Sequence, residues 1–165
     1  MNKIKETSPD KVHGKFVKYR QGDCLSVFCR DKYLAVLISK KFNNFYDLTL
    51  LEYYSDKKPE LNDFIKGKFF GTRFGSWEDL TYAVNVRMIS CKYIDNNSSI
   101  EKIGCVNLTS KITKDGYAYF DNLDELLEYY LEELPIRIEK SKNAERYPDL
   151  GFVSKHLIDM KHIIE

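Results

Sequence analysis

The chain has 165 residues, of which 43% are hydrophobic and 31% are charged, and a formal net charge of +1. This length suits one domain, and the composition is that of a globular protein and excludes a disordered or fibrous chain. The charge balance provides no overall attraction for nucleic acid, and the small number of arginines weakens that function further.

The apolar runs of the sequence are short. The longest, YLAVLI at 33–38, is far shorter than a membrane span. The basic N-terminus is followed by no apolar segment of the kind that secretory signals contain. We therefore expect a cytoplasmic protein that does not bind a membrane.

Four cysteines are spaced too widely to form a CxxC pair, and each lies in an apolar, strand-like run. A structural metal site needs closely spaced cysteine or histidine pairs, which the sequence lacks. The pattern predicts reduced cysteines that are buried as small hydrophobic residues, with no metal and no other cofactor. The four residues are Cys24, Cys29, Cys91 and Cys105.

Strand patterns follow a polar segment, residues 1–13, that is predicted to be a flexible arm. The run at 33–40 is apolar almost throughout, which predicts a central strand covered on both faces. The run at 80–94 alternates in character, which predicts a half-buried strand. The predicted strands are GKFVKY (14–19), CLSVFC (24–29), YLAVLISK (33–40), FYDLTLLEYY (45–54), LTYAVNVRMISCKYI (80–94) and IEKIGCVNLTSKIT (100–113), the last with a bulge at Gly104.

A short helix is predicted between the fourth and fifth of these strands. Pro59 suits the first turn of a helix, and Gly67 is a natural stop. Leu61, Phe64 and Ile65 have the spacing of one apolar face.

The apolar period changes to that of a helix in DNLDELLEYYLEEL, residues 121–134. We expect Asp121 or Asn122 to cap this helix and Pro135 to end it. The tail at 152–164 suits a terminal helix or a terminal strand that closes over the sheet. The apolar stripe of the main helix comprises Leu123, Leu126, Leu127, Tyr130, Leu131 and Leu134.

Strands that precede helices, without βαβ alternation, are typical of the α+β class. We expect a single α+β domain at 14–165, mostly β over 14–120 and mostly helical over 121–165. Its antiparallel sheet is predicted to be strongly curved or closed into a small SH3-like barrel, with a short inserted helix and C-terminal helices.

The stretch FFGTRFGSW, residues 69–77, contains two glycines but matches neither a P-loop nor a dinucleotide-binding motif. We interpret it as a bend in the sheet whose aromatic rings enter the core. The alternative is that Arg73, Phe74 and Trp77 form an exposed binding patch, because such residues dominate interface hot spots.

No catalytic motif is evident. The histidines, His13, His156 and His162, lie in the arm and the tail, and the last two are too far apart for a helical metal pair. No GxSxG elbow is present, and no cysteine has a context that indicates activation. The sequence therefore predicts a protein that is not an enzyme.

Acidic residues are concentrated at 121–134, where no lysine or arginine accompanies them. One interpretation is a solvated helix face whose first acids favour the positive end of the helix dipole. The other is an acidic face that attracts a basic partner. The residues predicted to bind a partner are Asp124, Glu125, Glu128 and Glu132 on this helix, and Arg73, Phe74 and Trp77 in the aromatic stretch.

The runs GKFVKYRQGDCLSV, KYLAVLISK and FYDLTLLEYYSDKKPELNDF resemble the immunity protein 26 family of bacterial polymorphic toxin systems. The shared pattern spans about residues 14–90 and comprises a basic strand, a Gly-Asp turn, a strand pair and a proline-led acidic helix. The resemblance implies a mostly β protein that binds and neutralises a cognate toxin. Many toxins of these systems are basic nucleases, which an acidic face would occlude.

The alternative function is a nucleic-acid module or a hydrolase on a small barrel. Lys15, Lys18 and Arg20 would contact phosphates, and aromatic residues would stack on bases.

Overall fold

The computed structural model describes residues 11–12, 15–74, 81–109, 112–144 and 154–165. Of the predicted arm, only Lys11 and Val12 are among them, and they pair with a second short strand. The strands are β1 (Lys11–Val12), β2 (Lys15–Phe16), β3 (Asp23–Cys29), β4 (Lys32–Phe42), β5 (Phe45–Ser55), β6 (Lys68–Phe74), β7 (Thr81–Ser90), β8 (Ile100–Cys105), β9 (Thr113–Tyr119) and β10 (Ser154–Asp159).

The helical elements before residue 123 are single short helices, whereas residues 123–144 form one continuous helical segment. They are α1 (Leu61–Ile65), α2 (Cys91–Asp95), α3 (Leu123–Glu128), a π-helical turn (Tyr129–Glu133), α4 (Leu134–Ala144) and a 3₁₀ turn (Met160–His162).

The main sheet has eight strands in the order β10-β6-β7-β5-β4-β3-β8, with β9 beside β7. All its pairings are antiparallel except that of β7 with β9. It is curled but open, since among the described residues no pairing joins the outer strands β8 and β10. The α+β prediction is therefore confirmed, whereas the closed SH3-like barrel is wrong.

Both faces of the sheet are covered. In β4, Leu34, Val36 and Ile38 join a core beneath α3 and the π turn. Ala35 and Leu37 join a second core on the other face, beneath α1 and the C-terminal tail. The prediction of a central strand covered on both sides is confirmed, and it explains the unbroken apolar run.

The run at 80–94 differs from its prediction in two ways. Every residue over 83–89 is buried, so β7 is a central strand and not a half-buried one. The strand also ends at Ser90, whose Oγ accepts a hydrogen bond from the Tyr93 N–H and caps α2. An N-terminal cap of this kind stops the ladder and starts a helical turn.

The first and last predicted strands of the β region are shorter than expected. Of the described residues 15–19, only Lys15 and Phe16 are extended in a ladder, although Val17 and Tyr19 are buried. The run 100–113 ends as a strand at Cys105, with an irregular register against β3 at the predicted bulge. Because β8 is an outer strand, Cys105 is exposed, whereas the other three cysteines are buried as predicted.

The helix predicted at 121–134 begins at Leu123 and continues past its expected end. Asn122 caps it, because its Oδ1 accepts a hydrogen bond from the Glu125 N–H at 3.0 Å. Pro135 does not end it, and α4 runs on to residue 144. In the π turn the Leu134 N–H donates to the Tyr129 carbonyl, so the helix is wider just before Pro135. Proline has no N–H for the hydrogen bond of a regular helix, and the wider turn accommodates it.

The stretch FFGTRF is a strand and not a bend. Phe69 and Phe70 are buried as predicted. A Cβ on Gly71 would lie 2.3 Å from the Ala83 carbonyl oxygen, so only glycine allows β6 to approach β7 this closely. The tail forms β10, which pairs with β6 along the edge of the sheet.

Candidate binding site

A cavity of about 260 Å³ lies between the sheet and the C-terminal helix. Strand β7 turns Asn85 and Arg87 to the face that also carries Ile89, because side chains two apart share a face. The π turn brings Tyr129 and Glu133 to the same cavity. We call this space the arginine cavity.

Arg87 is only 5% exposed, and within the described residues it has no carboxylate partner at ion-pair distance. One guanidinium nitrogen, Nη1, donates to the Val86 carbonyl at 2.8 Å. The Nε nitrogen is buried without an acceptor. Burial lowers the pKa of the Arg87 guanidinium, an effect that Tyr129 opposes.

The ring of Tyr129 faces both arginines of the cavity. The Arg87 guanidinium carbon lies 3.9 Å from the centre of the tyrosine ring, and that of Arg137 lies 5.8 Å from it. The hydroxyl donates to Asn85 Oδ1 at 3.0 Å. Two cations therefore converge on one aromatic ring, and among the described lining residues Glu133 is the acidic one.

An exposed group of aromatic side chains lies beside the cavity. Tyr117 is 58% exposed, Tyr119 is 56% exposed and Phe42 is 49% exposed. Tyr119 packs edge-on against Phe45 at 4.9 Å between ring centres. The Lys114 Nζ lies 4.8 Å from the centre of the Tyr117 ring and 6.0 Å from that of Phe42. These five residues are the aromatic patch.

The aromatic patch depends on an irregularity in β9. The register against β7 shifts between Val84, which pairs with Lys114, and Val86, which pairs with Tyr117. Gly116 takes a φ of +77° within the extra residues. The shift places Lys114 and Tyr117 on the same side of the strand, as a bulge does.

A buried carboxylate lies under the lysine of the patch. Asp47 Oδ2 is 3.3 Å from Lys114 Nζ, while Asp47 Oδ1 is buried without a hydrogen-bond partner. Burial raises the pKa of Asp47, and the charge and hydrogen bond of Lys114 oppose that shift. The pair fixes the lysine to the sheet.

The predicted acidic residues share a helix but differ in their surroundings. Asp124 and Glu128 are exposed and lie 3.2 Å and 3.4 Å from nitrogens of Arg30. Arg30, from a distant part of the chain, therefore compensates part of the negative charge of the acidic helix. Arg30 lies in the turn between β3 and β4. Arg30 and Asp31 both have positive φ there, as a tight hairpin requires.

Two further acidic predictions have distinct outcomes. Glu125 is half-buried and accepts a hydrogen bond from the Asp121 N–H, so it helps to cap the helix. Glu132 is exposed. Because the helix continues past Pro135, Glu132 and Glu133 lie in its middle and not at its negative end.

The aromatic stretch does not join the acidic residues into one site. Arg73 is half-buried in β6, between Ser154 of β10 and Tyr82 of β7. The side chain of Phe74 and the whole of Trp77 lie outside the described residues. The predicted patch at 73–77 therefore stays a prediction.

Sequence reasoning missed both the arginine cavity and the aromatic patch. Asn85 and Arg87 were visible as polar residues inside an apolar run, but the alternation suggested an exposed face. The Asp-Gly pair before Tyr117 is a turn signal, and for this reason strand β9 was not predicted from the sequence.

Among the described residues, no cluster of three metal-ligating side chains occurs. His162 stacks on Tyr82 with 4.5 Å between the ring centres. Within those residues, no helix combines the length and apolar character needed to cross a membrane. Comparison of the chain with protein-family models, curated proteins and solved structures gave no match in any of the three.

Proposed function

We propose that this chain is a non-enzymatic binding protein whose partner is another protein. The aromatic patch is the observation that carries the proposal. Three large rings in contact with water are unfavourable to keep exposed, and tyrosine is among the residues that contribute most at protein interfaces. Lys114 adds a positive charge that is held in place by Asp47.

Within this class, we propose a bacterial immunity protein that occludes a cognate toxin in the cytoplasm. The resemblance of residues 14–90 to the immunity protein 26 family supports this reading. Exposed carboxylates on the helix, Glu132 and those that Arg30 contacts, support a partner with a basic surface. A basic nuclease fits this charge.

The proposal is tested by co-purifying the chain with the product of the adjacent gene and measuring the affinity of the complex. Tyr119→Ala should weaken the complex by about thirtyfold, because interface hot spots lose about 2 kcal/mol on truncation. Ile65→Ala is the matched control, because Ile65 is an exposed apolar residue on α1 that does not belong to the aromatic patch. Equal affinity of the Tyr119 variant and the wild type would contradict a role for the aromatic patch.

The electrostatic part has its own test. Glu128→Lys together with Glu132→Lys should weaken the complex and reduce its dependence on salt. Unchanged affinity would remove the acidic face from the proposal. If the chain instead binds single-stranded oligonucleotides at low salt and the toxin not at all, the nucleic-acid module is the better interpretation.

A further inference from the structure

We propose that the arginine cavity is a binding site for a small carboxylate with a compact apolar body. This inference concerns a small molecule and does not depend on the protein partner proposed above. It is carried by a buried guanidinium without a carboxylate partner, at the wall of a cavity that three aromatic residues also line.

Among the described residues, the buried positive charge of Arg87 contacts the ring of Tyr129 but forms no ion pair with a carboxylate. A guanidinium stays protonated in proteins, and burial of a charge without a partner is costly. Its Nη1 is used by the Val86 carbonyl, and its Nε has no acceptor. A carboxylate in the cavity would supply acceptors to the part of the guanidinium that lines it, since arginine and carboxylate pair through two parallel hydrogen bonds.

The described residues that line the cavity carry a net positive charge. Arg87 and Arg137 both face the ring of Tyr129, at 3.9 Å and 5.8 Å. Glu133 is the acidic residue in the lining, and within the described part of the chain it forms no ion pair with either arginine. The described lining residues carry two positive charges and one negative charge, a balance that matches a single anion and favours a carboxylate over a doubly charged phosphate.

The volume and the walls of the cavity limit the size of the ligand. Its volume of about 260 Å³ is near the lower end of small-molecule sites, which span about 300–1,000 Å³. Tyr117, Phe120 and Tyr129 provide apolar walls. The ligand is therefore compact, with an apolar body against the rings and its carboxylate on the arginines.

The π turn is the element that assembles the site. It carries Tyr129 at its first residue and Glu133 at its last, and both line the cavity. π turns interrupt α-helices at functional sites more often than elsewhere. One irregular turn of the helix therefore places two of the residues that line the cavity.

The test uses benzoate as the probe, at constant ionic strength, with NMR detection of the arginine Nε–H signals. We expect a saturable shift of the Arg87 signal and a rise in melting temperature that follows the benzoate concentration. Benzamide has the same body without the charge and should cause neither. Acetate and inorganic phosphate should bind more weakly than benzoate.

Because Arg87 is buried, Arg137→Gln is the variant that carries the test. It should weaken benzoate binding by about tenfold, the loss expected for one charge-assisted contact. Arg30→Gln changes the net charge equally and lies at the exposed hairpin turn, so it should change the affinity by less than about twofold.

Several outcomes would overturn the proposal. One is the absence of a saturable shift, and another is an equal response to benzamide. A benzoate affinity unchanged by Arg137→Gln, or reduced as much by Arg30→Gln, would remove the site. Tighter binding of phosphate than of benzoate would make the carboxylate assignment wrong.

Discussion

At the scale of single residues, two charged side chains inside the sheet distinguish this protein from a simple apolar core. Asp47 and Arg87 lie on neighbouring strands β5 and β7, and both are almost completely buried. Each retains one polar atom without a partner. Such groups cost free energy, and they mark positions where a fold has been adapted to something other than stability.

Asp47→Asn should reveal the free-energy cost of burying this carboxylate, because the effect of the substitution on the unfolding free energy should depend on pH. Burial raises the pKa of Asp47 in the folded state, so its contribution to stability is greatest below the unfolded pKa and is lost as pH rises through the folded one. The unfolding free energy of the variant minus that of the wild type should increase between about pH 4 and about pH 7. Urea unfolding at both pH values measures it.

Asp56→Asn is the matched control, since Asp56 is exposed and the same chemical change there removes no buried carboxylate. A difference that falls with pH for Asp47→Asn would contradict the assignment of a buried, costly carboxylate.

At the scale of elements, the main helix shows how one irregular turn changes which residues face the core. Leu123, Leu126 and Leu127 are buried, as the helical spacing predicts. Beyond them Leu131 is exposed and Tyr129 is buried, because the π turn rotates the helix relative to a regular one. The same rotation directs Tyr129 into the arginine cavity.

The short helix α1 depends on a single anchor. Phe64 is completely buried in the second core, whereas Ile65 is 44% exposed. Phe64→Ala should therefore cost about 3–5 kcal/mol of unfolding free energy, the usual loss for a buried phenylalanine. Ile65→Ala should change it by less than about 0.5 kcal/mol, as surface substitutions do.

Denaturant unfolding of the two α1 variants provides the comparison. Similar losses for Phe64→Ala and Ile65→Ala would show that the helix does not pack as described.

At the scale of the whole molecule, the sheet is an inner layer with a core on each side. Residues 123–134 cover one core, and α1 with the C-terminal tail covers the other. The cysteines report on this arrangement, because Cys24 and Cys91 lie in different cores while Cys105 lies on the outer strand β8. Burial raises the pKa of Cys24 to about 12 and that of Cys91 to about 11.

Thiol titration should therefore distinguish one cysteine from three. In the native protein near neutral pH, a thiol reagent should modify Cys105 rapidly and the buried thiols only slowly, because the thiolate is the reactive form. All four should react after denaturation. Cys105→Ser should abolish the rapid phase, and its persistence would indicate that one of the cores opens readily.

Local patterns in the sequence determined the class of the fold and much of its core. Alternation and apolar runs identified β3, β4 and β5, and helical spacing identified α1 and the first turns of the main helix. These elements could be predicted because their buried faces are encoded by neighbours in the chain. Phe69 and Phe70 were correctly placed in the core for the same reason.

Tertiary structure alone decided the features on which the proposals rest. Arg30 reaches Asp124 and Glu128 across 94 and 98 residues, and no local pattern reports such a contact. Arg87 is buried because the main helix covers β7, and the aromatic patch exists because a bulge in β9 aligns Lys114 with Tyr117. Short-range periodicity specifies which face of an element is apolar, but packing between distant elements decides which polar side chains that face must accept.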